Sequence, residues 1–409
     1  MKNYRAVAKA TEFNFEDAVN AIGKDLDMDP VSLDRKSFVD GSISLDSLTL
    51  DLIMGGGIAP RRWTTFFGFE GSGKSTAAFH GMRSAVNMKI PCLFFDYEGA
   101  DPLYLSRIGL DIKNPLLKIF HPTTGEQTYR FIKRFASLLP EQHSGQVQAA
   151  FFIDSFTAML PEAIDENDEF GQRAVAASMH SSKIPLIRSM LNRKSCALVG
   201  TNQLRLSPQA MFGSPEYEPG GEALKFYSDV RLRMQMISPR TVGATPMTEA
   251  GKTKLEEEPC VVGKGVDRYT YSTARTVKNK AFSPFRTSFL RFWTEHRGMP
   301  GHGIDPVYDT YQFLVETGQA VYKRGRMNIS IQGFNDKSFT WLEFKKLIID
   351  DEDEVLNNEG LTLREVCRSQ IADSTAFEMF FNVSGGLGLV SNEKETGRDD
   401  EDGSFAPEE

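Results

Sequence analysis

The segment GFEGSGKST, from Gly68 to Thr76, constrains the fold of this chain more than any other feature. It has the spacing of a phosphate-binding loop, in which a glycine and four further residues precede Gly73, Lys74 and Ser75. Such a loop follows a strand and opens a helix, because the N–H groups at the helix N-terminus then face the phosphates. The apolar run WTTFFGF predicts that strand, and residues 74–87 predict that helix. The sequence therefore predicts an α/β fold of the phosphate-loop kind.

Strand and helix signals alternate after this loop. Apolar runs predict strands at PCLFFD, LLKIF, AAFFID and CALVGTNQ, with helices between them, including one from about residue 172 to residue 193. Because these runs are continuous rather than alternating, they are typical of parallel strands covered on both faces. The later segments VRLRMQMI, YSTARTVKNK and TSFLRFWTE predict antiparallel strands that extend the sheet. We therefore expect a mostly parallel central sheet.

The composition excludes several classes of protein. The sequence has no run of about 18 apolar residues and no apolar core of a secretory signal near its start, so we expect a cytoplasmic protein without a membrane partner. The four cysteines are scattered without a CxxC pair, which predicts buried free thiols. The net charge is −8, but the last 19 residues carry eight acids and two bases. The rest is near neutral, which is compatible with a local basic groove for DNA.

The residues of the loop have separate tasks in binding a nucleotide. The glycines let backbone N–H groups face the phosphates, Lys74 reaches the β- and γ-phosphates, and Ser75 holds Mg²⁺. A second metal ligand is expected from Asp154, the carboxylate that ends the run AAFFID. We expect nucleotide contacts from the whole loop, that is from Gly68, Phe69, Glu70, Gly71, Ser72, Gly73, Lys74, Ser75 and Thr76.

Hydrolysis of the nucleotide also needs a group that orients water. The segment FFDYEGADPLY places Asp96 and Glu98 at the end of the strand that follows the phosphate-loop helix. A carboxylate there can orient a water against the γ-phosphate, and it can equally belong to a solvated loop or cap a helix. The spacing alone leaves both interpretations open.

Several segments in consistent order resemble the RecA family of recombinases. They are DYEGADPLYLSRIGLDI, FFIDSFTAMLP, NQLRLSPQAMFGSPEYEPGGEALKFYSDVRL and RTVKNKAFSPF, together with GSISLDSLTLDLIMGGGIAPRR before the loop. The most specific is ALKFYSDVR, from Ala223 to Arg231, which is similar to a nine-residue signature of that family. The resemblance covers roughly residues 35–300 and fades toward both termini. The divergent ends, the insertion near 239–266 and a shortened approach to the segment DPLY indicate a distant member of the family, of bacterial or bacteriophage origin.

The resemblance implies roles around the nucleotide. Glu98 matches the glutamate that activates water, Tyr104 matches the aromatic residue that stacks on adenine, and Asp101 matches its neighbour that contacts the base. The chain has one residue fewer between Glu98 and Asp101 than bacterial RecA. It therefore departs from the family pattern next to the residues expected to contact adenine.

The resemblance also implies a nucleotide site that two subunits share. Gln203 matches the glutamine that senses the γ-phosphate and passes the signal to the adjoining DNA-binding loop. Lys278 and Lys280 match two lysines that reach the ATP of the neighbouring subunit, where cations would stabilise the charge of the transition state. Without the resemblance, an ordinary basic strand edge would be the favoured interpretation of both lysines.

Two loops correspond to the DNA-binding loops of the family. The first runs from about Glu162 to Arg173 and is acidic, and the second runs from Leu204 to Gly221. Apolar wedges and backbone amides would suit a sequence-independent grip on single-stranded DNA, although the second loop could instead cover the nucleotide. The residues expected to contact DNA are Phe170 and Arg173 in the first loop, and Arg205, Met211, Phe212, Gly220 and Gly221 in the second.

We expect four regions along the chain. They are an N-terminal oligomerisation arm (1–40), a RecA-like ATPase core (41–300) with a polar insertion near 239–266, a small α+β C-terminal domain (301–388) and a disordered acidic tail (389–409). The arm contains FEDA, which resembles the FxxA polymerisation motif of eukaryotic and archaeal recombinases, with a plain amphipathic helix as the favoured alternative. The tail resembles the acidic tail of bacterial RecA, which competes with DNA, and a solubilising tail is the alternative.

The combined expectation is a DNA-dependent ATPase that uses ATP and Mg²⁺. It would form a homo-oligomeric helical filament on single-stranded DNA, pair it with homologous duplex DNA and exchange strands in recombination and repair. A ring helicase or loader with the same core is one alternative, and it would need its own arginine finger and helical collar. A RecA paralogue that mediates assembly with little turnover is another, and it would not need the intact set of Lys74, Ser75, Glu98 and Asp154.

Overall fold

A computed structural model of the chain describes residues 15–26, 41–142, 145–163, 169–206, 216–237, 257–259, 266–296, 299–324, 326–331, 334, 337–349 and 361–372. The helices in these segments are α1 (Phe15–Leu26), α2 (Leu48–Met54), α3 (Lys74–Asn87), α4 (Pro102–Arg107), α5 (Gly125–Leu138), α6 (Glu169–Arg193), α7 (Glu222–Tyr227), α8 (Pro306–Glu316), α9 (Trp341–Ile349) and α10 (Leu363–Ala372).

The strands are β1 (Trp63–Gly68), β2 (Cys92–Asp96), β3 (Leu117–Phe120), β4 (Ala150–Asp154), β5 (Ala197–Gln203), β6 (Arg205–Leu206), β7 (Glu216–Tyr217), β8 (Val230–Ile237), β9 (Glu257–Pro259), β10 (Val266–Asn279), β11 (Thr287–His296), β12 (Met299–Ile304), β13 (Ala320–Lys323), β14 (Arg326–Ile329) and β15 (Lys337–Phe339). The fold is mixed α/β around one large sheet, with two smaller sheets formed by β6–β7 and by β13–β14–β15.

The large sheet is mostly parallel, as predicted. Its strand order is β12-β11-β10-β8-β1-β5-β4-β2-β3, with β9 paired to β10. Strands β8, β1, β5, β4, β2 and β3 all run parallel to one another. Strands β10, β11 and β12 continue the sheet in antiparallel fashion, which confirms the predicted extension.

Both faces of the parallel strands are apolar, which explains the continuous runs in the sequence. On β4, Phe152 packs into a cluster with Met82 of α3. The neighbouring Phe151 points to the other face and packs into a cluster with Leu191 of α6. All five residues of β4 are buried. Because burying one such aromatic side chain contributes about 1.5–3 kcal/mol, the two clusters are a main source of the sheet's stability.

The ends of several helices follow from single residues. Thr124 precedes α5, and its side chain accepts a hydrogen bond from the N–H of Gln127. Asp305 precedes α8 and accepts from the N–H of Val307 at 2.9 Å. Such caps satisfy N–H groups that have no partner within the helix. Gly55 ends α2 at a φ of 89°, a left-handed conformation that glycine adopts without strain.

The residues after Asp305 share a core with the central sheet. Helices α8, α9 and α10 bury one apolar cluster together with Leu48 and Leu52 of α2 and with Tyr269 and Tyr271 of β10. Strand β12 also crosses residue 300, the predicted boundary between the core and the C-terminal domain. The domain limits themselves stay a prediction.

Several expectations fall partly or wholly outside the described residues. The predicted helix of the N-terminal arm is present as α1. Of the insertion near 239–266, the described part is β9 together with the first residue of β10, and these two strands pair. The acidic tail at 389–409 lies outside the described segments. Cys92, Cys196 and Cys367 are buried free thiols, as predicted. No helix in the described part of the chain is long and apolar enough to cross a membrane.

Candidate active site

The carboxyl ends of the parallel strands meet at one edge of the sheet, beside a cavity of about 630 Å³. Gly68 pairs in register with Gln203, and Asp96 pairs with Asp154, so the ends of four strands lie together. From the loop, the cavity is lined by Glu70, Gly71, Gly73, Lys74, Ser75 and Thr76. From the predicted residues elsewhere, it is lined by Glu98, Asp101, Tyr104, Asp154 and Gln203. Its volume is that of a small-molecule site.

The glycines of the loop are required by close backbone contacts. A Cβ atom on Gly73 would lie 2.5 Å from the Phe292 ring, and its φ is 88°. A Cβ atom on Gly68 would lie 2.0 Å from the carbonyl oxygen of Met234. Larger residues would push the loop away from β8 and β11, so the loop path depends on these two glycines.

Lys74 opens α3 and is nearly buried at the cavity wall. Its Nζ donates to the carbonyl oxygen of Phe69 at 2.7 Å and to Ser72 Oγ at 3.4 Å. Burial lowers the pKa of Lys74, and the carboxylates of Asp154 and Glu98 oppose that shift. The amine therefore faces an acidic cavity, and its acceptors are loop atoms that a phosphate oxygen could replace.

Asp154 and Ser75 supply two oxygen ligands at the wall of the same cavity. The hydroxyl groups of Thr201 and Ser75 both donate to the Asp154 carboxylate. Burial raises the pKa of Asp154, and these hydrogen bonds oppose the shift. Among the described residues, no group of three or more His, Cys, Asp or Glu side chains could hold a metal. A serine and one carboxylate fit Mg²⁺, which keeps waters and takes phosphate oxygens as its other ligands.

Glu98 lies across the cavity, and the structure separates its role from that of Asp96. Glu98 Oε1 accepts from Ser155 Oγ at 2.5 Å and from Gln203 Nε2 at 3.2 Å. The Asp96 carboxylate instead accepts from the backbone N–H groups of residues 98–100, at 2.8–3.1 Å. Asp96 thus shapes the turn that presents Glu98 to the cavity. Of the two carboxylates, Glu98 is the one that lines the cavity.

Tyr104 and Asp101 lie on and before α4. The Tyr104 hydroxyl is 2.7 Å from Thr76 Oγ1, which joins α4 to the start of α3. The Tyr104 ring also meets Phe79 edge-on at 6.4 Å. Asp101 caps α4 by accepting from the N–H of Leu103 at 3.0 Å. Both residues line the cavity, and their expected contacts with adenine stay a prediction.

Lys278 and Lys280 lie toward the opposite edge of the sheet. Strand pairing places Lys278 at the level of Thr65, and Lys280 follows toward the amino end of β1, while the cavity lies beyond its carboxyl end. Lys278 Nζ donates to the carbonyl oxygens of Phe226 and Lys225 in α7, at 2.7 and 3.0 Å. Lys280 Nζ is 3.9 Å from the buried carboxylate of Asp229. Neither lysine lines the cavity of its own chain.

The first predicted DNA-binding loop is described in part. Helix α6 begins at Glu169, three residues before the predicted start, so the backbone of Phe170 and Arg173 is helical. The side chains of both residues lie outside what the structure describes. Glu162, at the start of this loop, pairs with Arg130 of α5. DNA contact by this loop stays a prediction.

The second predicted DNA-binding loop is described at its two ends. Arg205 is exposed and pairs in register with Tyr217, so the loop begins and ends as a short hairpin. Gly220 and Gly221 have φ values of 93° and 84°, and a Cβ atom on Gly220 would lie 2.4 Å from Leu224. Met211 and Phe212 lie outside the described residues. The glycines are thus explained by the tight entry into α7, and their contact with DNA stays a prediction.

Sequence reasoning missed several residues that line the cavity. Thr201 could have been found, because it lies two residues before Gln203 on β5 and therefore faces the same side. Arg107 could have been found by its helical spacing from Tyr104. The remaining residues lie on β8, β10 and β11, whose approach to the loop has no local signal. They are Met236, Thr270, Phe292, Trp293 and Thr294.

The parallel sheet, the glycine loop between β1 and α3 and the cavity at the strand ends define a phosphate-loop α/β protein of the RecA type. Within that class, the chain belongs to the RecA family, because the family model for the RecA N-terminal domain matches residues 14–294.

Two bacterial RecA proteins agree with this assignment. Protein RecA of Bartonella bacilliformis is 28% identical over 341 residues, which cover 81% of this chain and 88% of that protein. Protein RecA of Thermus aquaticus is 34% identical over 281 residues, which cover 68% of this chain and 72% of that protein. Among solved structures, the RadB recombinase matches 63% of this chain and 97% of its own, at 17% identity and a TM-score of 0.42.

Proposed function

We propose that the protein is an ATP-dependent DNA recombinase, which forms filaments on single-stranded DNA, pairs it with homologous duplex DNA and exchanges strands. The observation that carries this proposal is the contact of Gln203 with Glu98, at 3.2 Å. The chain passes from Gln203 directly into the hairpin loop 204–221. A carboxylate suited to activating water therefore contacts the residue that directly precedes the loop expected to bind DNA. Membership of the RecA family supports the same function.

ATP and Mg²⁺ are the substrate and the metal that we assign to the cavity. A phosphate oxygen would replace the carbonyl oxygen of Phe69 as the acceptor for Lys74 Nζ. Ser75 and Asp154 would hold Mg²⁺, which would neutralise part of the charge on the phosphates. Tyr104 and Asp101, on the α4 side of the cavity, are assigned to the adenine end.

Glu98 is the residue that we assign to water activation. Both of its hydrogen bonds end on Oε1, so Oε2 is the oxygen assigned to the water. The water oxygen would attack the γ-phosphorus while Glu98 takes a proton from the water. The bond to the β-phosphate oxygen would break, which releases ADP and phosphate. Ser155 and Gln203 would keep the carboxylate in place through this step.

Assembly of subunits would complete the site. Lys278 and Lys280 are both too far along the sheet to serve the cavity of their own chain, since each strand residue adds about 3.3 Å. We assign them to the γ-phosphate of the ATP held by the next subunit in a helical homo-oligomer, where they would stabilise transition-state charge. Hydrolysis would then wait for the filament and afterwards loosen it. The proposed location is the cytoplasm of a bacterium, or of the host cell if a bacteriophage encodes the protein.

Electron microscopy of the protein on single-stranded DNA with a non-hydrolysable ATP analogue tests this proposal first. We expect long helical filaments that disappear when the nucleotide is left out. Closed six-fold rings would contradict the proposal and favour a ring helicase or loader. Monomers alone would contradict it and favour an accessory protein with little turnover.

Substitution of Lys74 tests the link between the cavity and strand exchange. Lys74→Ala removes the cation expected to bind the β- and γ-phosphates, so ATP-dependent strand exchange should be abolished. Lys133→Ala, at an exposed position on α5, is the matched control and should exchange strands like the parent protein. Strand exchange by Lys74→Ala at the parent rate would refute the mechanism.

A further inference from the structure

Two acid–arginine pairs hold residues 216–221, the return segment of the hairpin loop 204–221, against the central sheet. Glu216 lies 2.9 Å from Arg233 of β8, and this pair is partly exposed. Glu218 pairs with Arg231 of β8, and the exposed side-chain fractions there are only 6% and 13%. The second pair is therefore largely buried, although it joins a surface loop to a strand.

Arg231 connects this segment to the strand that carries the phosphate-binding loop. Its guanidinium lies over the Phe67 ring, 4.4 Å from the ring centroid. Phe67 directly precedes Gly68, and β8 is also in close contact with Gly68 through the carbonyl oxygen of Met234. The position of Glu218 is thus linked through Arg231 to the start of the phosphate-binding loop.

Asn202 connects the same segment to the strand that carries Gln203. Asn202 is fully buried, and its Nδ2 donates to Glu218 Oε2 and to the carbonyl oxygen of Pro219, both at 3.3 Å. Its Oδ1 accepts from Thr157 Oγ1 at 2.5 Å, and Thr157 Oγ1 also accepts from the backbone N–H of Gln203 at 3.1 Å. A shift of the return segment would therefore move the backbone next to Gln203.

The buried pair is better suited to fixing a position than to adding stability. Taking two charges out of water offsets most of their attraction, so apolar residues of similar size would stabilise the fold at least as well. A charged pair does require one relative placement of its partners, because each partner left alone would be a buried charge. Here it fixes the return segment relative to both β1 and β5.

We propose that Glu218 is a positioning residue that couples DNA binding at the hairpin loop to ATP hydrolysis, through Asn202 and Arg231. This route acts on the backbone of Gln203, in addition to the hydrogen bond that the Gln203 side chain makes with Glu98. The inference rests on the proposed function. When DNA displaces the return segment, Asn202 shifts the Gln203 backbone and with it the hydrogen bond to Glu98. Nucleotide binding itself does not use Glu218, because Glu218 does not line the cavity.

The experiment compares ATP turnover with and without saturating single-stranded oligothymidine, together with the affinity for a fluorescent ATP analogue without DNA. Glu218→Gln keeps the shape of the side chain and removes its charge. We expect the ratio of DNA-stimulated to basal turnover to fall about tenfold, as for residues coupled in one network, with analogue affinity changed less than about twofold. In the charge-reversed double variant Glu218→Arg with Arg231→Glu, that ratio should be at least about threefold higher than in Glu218→Gln.

Two further variants control for the loss of a surface charge and for poor folding of Glu218→Gln. Glu222→Gln is the matched control, because its side chain is 85% exposed and pairs with Lys225 at the surface, and it should keep the parent ratio. Glu218→Asp keeps the buried charge but shortens the side chain, so it serves if Glu218→Gln folds poorly, and its ratio should fall about threefold.

Three results would overturn the inference, and they are distinguishable. If DNA stimulates ATP turnover in Glu218→Gln and Glu218→Asp as much as in Glu222→Gln, Glu218 does not couple the loop to turnover. A loss of analogue affinity as large as the loss of turnover would assign Glu218 to the nucleotide site instead. A parent protein that binds the analogue but whose turnover ignores DNA would overturn the proposed function itself, and the inference with it.

Discussion

Glu98 is held by donors from two different strand ends, and this placement leads to a prediction for a single residue. Glu98→Gln keeps the size of the side chain and its contact with Ser155 but removes the base. Turnover of ATP should fall about 10²–10⁴-fold, the usual contribution of a positioned general base. Affinity for ATP should change little, since Lys74 and the loop stay in place. Single-turnover hydrolysis and equilibrium binding measure the two quantities separately.

Glu70 provides the control for this prediction. It is an exposed carboxylate of the loop that lines the same cavity. Glu70→Gln removes the same charge from the same cavity but no general base, and we expect turnover to fall far less than in Glu98→Gln. Equal losses in Glu70→Gln and Glu98→Gln would mean that the negative charge of the cavity matters, rather than a base at Glu98.

His180 joins helices α5 and α6 and leads to a prediction about pH at the scale of elements. It is fully buried, and its Nδ1 is 2.8 Å from the Tyr129 hydroxyl. Burial lowers the pKa of His180 to about 4. The unfolded chain would bind a proton below a pKa of about 6.5, so the stability that neutral His180 provides is lost as pH falls from 6.5 toward 4. This loss should amount to about 3 kcal/mol.

Comparison with His180→Asn isolates this contribution from other titrating groups. Urea unfolding of both proteins between pH 7 and pH 4 gives two curves of unfolding free energy. The parent should lose about 3 kcal/mol more than His180→Asn across this range. Parallel curves for the parent and His180→Asn would mean that folding does not lower the pKa of this imidazole.

The elements that the sequence predicts well are those with a local signal. Lys74–Asn87 was predicted with both of its ends, because the loop fixes its start and its apolar positions follow the helical period. The sequence predicts the start of helix α6 at about residue 172, but the helix begins at Glu169. The acidic loop contains several candidate capping residues, Asp165, Asn167 and Asp168, and they do not single out one start.

The rest of the site depends on contacts between distant segments. Phe292 lies behind Gly73 only because β11 and β10 continue the sheet past β8, and nothing within the segment around Phe292 indicates this. Glu218 and Arg231 belong to one loop and one strand, and neither shows from sequence that it is the partner of the other. Sequence therefore predicts the groups that act on the nucleotide better than the groups that hold them in place.

At the scale of the whole molecule, Asp309 of α8 ties the C-terminal region to the segment before the phosphate-binding loop. Its buried carboxylate accepts from Ser47 Oγ at 2.7 Å, from the N–H of Leu48 at 2.8 Å and from Thr49 Oγ1 at 2.8 Å. Arg364 of α10 donates to it at 3.2 Å. These bonds cap α2 from a residue about 260 positions away. We therefore expect the C-terminal region and the central sheet to unfold as one unit.

Single-tryptophan variants test this expectation, because Trp63 lies in the central sheet and Trp341 lies in α9. Both probes should report one coincident urea transition. Asp309→Asn should lower the unfolding free energy by about 3 kcal/mol at both probes, because it leaves Arg364 and the donors at α2 without a buried carboxylate. Asp111→Asn, at an exposed position, should change it by less than about 0.5 kcal/mol. A loss seen by Trp341 alone would mean that the C-terminal region folds independently, and that Asp309 caps α2 without joining the two regions.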